Sequence, residues 1–153
     1  MEHRKSIWKR VQQLRSISGG ENVFLLQTAP QLGVRITRVL GAVKQLTFEE
    51  AKASTKFSDT IGVGGEESGL HARWPIPYGA LVPKKLDGLL TAGRSISVDA
   101  KMLDPMRVIA PCLVTGHAAG AAAALAVQSN CRPRDVDIAR LQKLLVGQGA
   151  YLG

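Results

Sequence analysis

The sequence predicts an α/β fold, α+β in part. Three observations carry this. Residues 89–92 form a short continuous apolar block, as in a strand buried on both faces of a parallel sheet, and a long apolar helix signal follows. Residues 34–46 alternate apolar and polar positions in the manner of half-buried strands. Two stripes with helical spacing lie near the start and in the tail.

Taken in order, Ile7, Val11, Leu14 and Ile17 define the first stripe, with Lys9, Arg10, Gln12, Gln13 and Arg15 opposite, and Gly19-Gly20 ends the helix. Residues 23–26 are a short apolar run of strand-like but ambiguous type. Residues 34–46 read as one or two strands interrupted at Gly41. Thr47 and Glu50 fit a capping box, which starts a short helix through Ala53. The Gly- and acid-rich residues 58–69 read as a loop. Pro75 and Pro77 force extended backbone before them, which predicts a non-central strand or an extended loop at 74–79. Asp104-Pro105 supplies an N-cap and a first-turn proline for a helix from Arg107 through Val127, with Pro111 in its first turn or so. In the tail Asp137 caps, Ile138, Leu141, Leu144 and Leu145 form the stripe, and Gly147 stops the helix.

A chain of 153 residues, 45% of them apolar, can bury one core without staples. Two cysteines, Cys112 and Cys131, make no disulfide framework, and no secretory signal is visible; both point to a reduced, cytoplasmic setting. Twenty basic residues against 12 acidic ones give +8, which favours anionic partners. Apart from the crowded start the cations are dispersed, and aromatic residues are only 5%, so stacking platforms for nucleic acid are scarce and no nucleic-acid partner is expected. Residues 108–127 have the length of a membrane span, but they are rich in alanine, which gains little from lipid, and hold Thr115 and His117 centrally. A buried helix is expected instead. Gly116, Gly120 and Ala124 lie four apart on one face, where another backbone can approach closely.

The chemistry concentrates at the βα crossing. A strand ending in Gly93-Arg94 and a helix start near Arg107 bring unpaired amides and a positive dipole end to one place, suited to a phosphate or another electron-rich oxygen. Two surface arginines beside an ordinary helix start are the plain alternative. The histidines, at 3, 71 and 117, and the two cysteines have no metal-site spacing, and no serine sits in a nucleophile elbow.

Four stretches carry a resemblance: LGVRITRVLGAVKQLTFEEA, WPIPYGALVPKKLDGLLTAGRSIS, MRVIAPCLVTGHAAGAAAALA and RPRDVDIARLQKLL. In order and spacing they resemble the C-terminal part of the FAD-dependent oxidoreductases with a glutathione-reductase-like FAD fold. The resemblance implies a C-terminal fragment of a two-domain flavoprotein. Residues 1–86 would end the substrate domain, and 87–153 would close the FAD-binding domain with a parallel-sheet strand and helix. It implies FAD as cofactor, an organic small-molecule substrate, and hydride transfer between substrate and flavin. Gly93, Arg94 and Ser95, with Met106, Arg107 and Val108, would lie at the flavin, where the helix dipole favours the reduced ring. Arg35, with Arg38 less so, and Tyr78 would line the substrate side, and His71 would be an acid–base group. Each has a plain counterpart: a solvated arginine, a packing tyrosine, a structural histidine. Cys112 lies in the first turn of the cofactor helix, where a thiol pKa can fall. His117 reads as a packing residue.

One departure stands out. The strand, G-x-G-x-x-G turn and helix that cradle the pyrophosphate in that family are absent, and Gly62-Val63-Gly64-Gly65 is the only near match. The expected partners are therefore the missing N-terminal portion or a second copy. The competing reading is a non-enzymatic basic α/β module that associates with protein or nucleic acid.

Overall fold

The computed structural model describes residues 2–31, 33–66, 69–70 and 73–153. The chain divides into two compact units, Met1–Arg35 and Ile36–Gly153. In the first, α1 runs over Glu2–Arg15, starting earlier than the apolar stripe does. Val11 is its buried residue, and the Arg15 Nε–H donates to the Val23 carbonyl (2.7 Å). Residues 23–26 form no strand, no strand pairs with them among the described residues, and Phe24 and Leu26 are exposed.

The second unit holds the main core. It opens with α2 (Phe48–Lys52), started by the capping box that the sequence announces: the Glu50 amide donates to Thr47 Oγ1, and the Thr47 amide to Glu50 Oε2. Burial alone would push the Glu50 carboxyl up. Hydrogen bonds from the Lys44 ammonium and from the Thr47 amide and hydroxyl outweigh it and hold Glu50 below its ordinary 4.5. A depressed carboxylate contributes stability above its unfolded pKa, and that contribution is lost as pH falls through the lower folded value. Urea midpoints of the wild type and Glu50→Gln, compared between about pH 7 and about pH 3, should show the wild type losing an acid-sensitive increment that the variant lacks. Equal pH dependence in both would remove Glu50 from the acid-labile set.

The sheet corrects two expectations. Residues 58–69 are not all loop, because β1 spans Thr60–Gly64. It pairs antiparallel with β2 (Trp74–Pro77), and these two strands make the one sheet among the described residues. The parallel strand expected at 89–92 does not form. These residues are extended and half-buried or exposed, and one ladder-like bond, from the Thr91 amide to the Leu81 carbonyl (3.0 Å), ties them to the chain. A buried parallel strand needs neighbours on its edges, and the described residues place none there. Residues 34–46 likewise form no strand, only isolated bridges at Ala42↔Pro83 and, in parallel sense, Leu46↔Val98. The observed architecture is therefore mixed helix with a small antiparallel sheet, α/β in composition.

A turn at Ala100–Met102, capped by Asp99, leads into the short α3 (Leu103–Met106). The long helix α4 follows as a separate element over Ile109–Gln128, so its N-cap is Val108 and not Asp104. Helix α5 covers Ile138–Gly147 and is capped by Asp137 as expected. Its stop is Gly149 rather than Gly147. Gly149 takes φ +89, and the amides of Gly149 and Ala150 return to Val146 and Leu145, a Schellman motif. Asn130 closes α4 the same way at φ +49.

Helix α4 is long and apolar enough to cross a membrane by length and composition, with hydropathy 1.5. Its Thr115, Ala118 and Ala122 side is fully buried in the core. The small-residue face is the opposite of what the spacing predicts. Gly116 and Gly120 are exposed, with no atom within 4 Å of a Cβ built there, and Val127 beyond them is 82% exposed. Gly120→Leu therefore overpacks nothing. It should leave the melting temperature unchanged or raise stability by up to about 1 kcal/mol through helix propensity. A loss of more than about 1 kcal/mol would place a tight neighbour on that face.

Candidate functional site at the start of the long helix

The turn Gly93–Ser95 packs against the first turns of α4. Gly93 has φ +68, the left-handed region that favours glycine, and a Cβ there would meet Cys112 Sγ at 3.4 Å. Its amide donates to Thr115 Oγ1 (2.9 Å), and the Thr115 hydroxyl donates back to the Pro111 carbonyl (2.8 Å). Thr115 is fully buried, so this relay fixes the glycine turn to the helix in a dry environment.

The helix start itself is open. Val108 offers no side-chain cap, Pro111 has no amide, and Ile109 and Ala110 are exposed with amides that lack intrahelical partners. The geometry offers donors and a positive dipole end to an electron-rich group. Arg107 adds less than its charge suggests. Its side chain is 25% exposed, and its Nε–H donates to Asp104 Oδ1 at 2.8 Å, so the guanidinium already faces a carboxylate. Arg94 and Ser95 are exposed, and the Ser95 hydroxyl donates to the Ala92 carbonyl (3.2 Å). Val108 is half-buried, and Met106 lies in the core, its carbonyl accepting from the Cys112 thiol at 3.7 Å. Gly93, Ser95, Arg107 and Val108 thus gather around one helix end, while Met106 reaches it through its backbone.

Of the other predicted residues, Arg35 is exposed and belongs to the first unit; Arg38 is exposed in the second. Tyr78 is 3% exposed, and its hydroxyl donates to the Pro133 carbonyl at 2.7 Å, which leaves the ring almost no accessible surface. Burial pushes its phenol up to about 12. His71 lies outside the described residues. His117 is exposed on α4 and shares a hydrogen bond with the Gln148 side chain (2.6 Å). Among the described residues no cluster of His, Cys, Asp and Glu could hold a metal ion. Neither the Thr115 bond to Gly93 nor the Asp104 pairing with Arg107 was legible in the sequence.

The residues fit one end of a flavin nucleotide and not the other. An uncapped helix start beside a left-handed glycine suits a ring edge that carries acceptors. Among the described residues no dinucleotide cradle accompanies it: Gly62, Val63 and Gly64 lie within β1, and a Cβ at Gly64 would fall on the Trp74 indole.

The described residues thus form a protein of mixed helix and small antiparallel sheet with an open helix start beside a glycine turn. The chain matches the model of the FAD dependent oxidoreductase family over residues 1–145 and belongs to that family. The match favours a flavoprotein over the basic-module reading. No curated protein and no solved structure matches the chain.

Proposed function

We propose that this chain is the C-terminal part of an FAD-dependent oxidoreductase, with residues 1–86 serving the substrate domain and 87–153 the FAD domain. Bound FAD would supply hydride exchange with an organic small-molecule substrate. The chain's part is to orient the ring edge at Gly93 and to place the amides of Ile109 and Ala110 where negative charge develops on reduction. The observation that carries this is the uncapped start of α4 locked to Gly93 through Thr115. A partner segment, in the same or another polypeptide, would hold the phosphates. With both thiols free, we place the assembly in the cytoplasm.

Titrations with riboflavin and with ADP test the division of labour. Riboflavin should shift the amide resonances of Gly93, Ile109 and Ala110, while ADP should give no saturable binding up to about 1 mM. FAD itself should bind the isolated chain weakly or not at all. Tight ADP or FAD binding, or riboflavin shifts elsewhere on the chain, would overturn the assignment.

A further inference from the structure

A second feature stands independently of the flavin reading. On the second unit a cavity of about 460 Å³ opens between the face of β1–β2, the segment after α2 and the chain's last residues. Phe57, Val63, Pro75 and Tyr151 give it apolar walls, and Lys56 and Arg73 give it two cations. Val63 and Pro75 are register partners, so one rigid rung of the sheet forms the floor. The Arg73 guanidinium lies 5.0 Å from the centroid of the Tyr151 ring, and the Ser54 hydroxyl donates to the Arg73 carbonyl (2.9 Å), which fixes that residue's backbone. Gln142 closes one side and spends its amide donors on the Ser58 and Thr60 carbonyls (2.9 and 3.0 Å). The ion pairs among the described residues leave Lys56 and Arg73 without a carboxylate.

We propose that this cavity binds a small aryl carboxylate. A carboxylate head matches the planar two-donor fork of Arg73, with Lys56 as a second charge, and a flat apolar body matches the Phe57, Pro75 and Tyr151 walls. Charge alone or apolar surface alone uses half of what the cavity presents.

Phenylacetate is the probe, with phenylacetamide and inorganic phosphate as controls for head and body. Titrations followed by amide NMR, with no flavin added, should show saturable phenylacetate binding with Kd near about 1 mM and shifts at Arg73, Val63 and Tyr151. Phenylacetamide and phosphate should each bind at least about tenfold more weakly. Arg73→Gln should weaken phenylacetate severalfold. Lys56→Gln, at an exposed position, should also weaken it with no change in melting temperature, which keeps the test valid if the first variant is poorly folded. Absence of saturation, equal binding of phenylacetamide or phosphate, or indifference to both substitutions would overturn the proposal.

Discussion

Trp74→Ala should cost the second unit about 3–5 kcal/mol, the largest loss expected from any single change described above. The indole is fully buried in β2, and its Nε1–H donates to the Gly65 carbonyl at 2.8 Å. Removing it deletes a large ring from the core and orphans that carbonyl. It also strips the surface on which Gly64 lies, where even a Cβ would overlap the indole. Gly64→Ala is the complementary change. It should destabilise by about 1–3 kcal/mol because the ring cannot yield without disturbing the core. Urea denaturation of both variants measures this. A loss below about 1 kcal/mol for Trp74→Ala would mean that the β1–β2 ladder does not depend on the ring.

Thr115→Val should cost about 1–3 kcal/mol although it conserves volume. The Gly93 amide then loses its acceptor in a buried setting, and the turn is no longer tied to α4. Thr115→Ser keeps the hydroxyl and should recover most of the loss. Hydrogen exchange at Gly93 separates this from a general packing defect, since only loss of the relay accelerates that amide selectively. Unchanged exchange in Thr115→Val would remove the threonine from the site's support.

These two dependences also mark what the sequence conveys. Caps are local, so Thr47 with Glu50, and Asp137, announce α2 and α5 directly. α4 was legible from its length and apolar composition instead, although its expected cap at Asp104 lies outside it. β1 was hidden because Gly62, Gly64 and Gly65 look like loop residues. Gly64 is there because Trp74, ten positions on, occupies the space of a side chain, and nothing near Gly64 says so. The block at 89–92 misled for the converse reason: its composition suits a buried strand, but pairing depends on neighbours that composition does not supply. At the site, the strand expected to end at Gly93 does not form and Gly93 begins a turn instead, whereas the start of the long helix was legible near Arg107. Thr115 was not, since it meets Gly93 across 22 positions. Asp104 was read as a cap for the long helix, whereas it pairs with Arg107 outside it.

The proline at the third position of α4 has a consequence for what this helix start selects. Ordinary helix starts present a ring of three or four amides, enough to wrap a tetrahedral oxyanion. Pro111 removes one of them, and the neighbouring Arg107 is already neutralised by Asp104. What remains is an incomplete ring of donors, the amides of Ile109 and Ala110 among them, with little net charge behind it. On the proposed flavin reading, such an incomplete ring would suit the flat acceptor edge of the flavin better than a multiply charged tetrahedral group, a preference of shape and valence that no side chain sets.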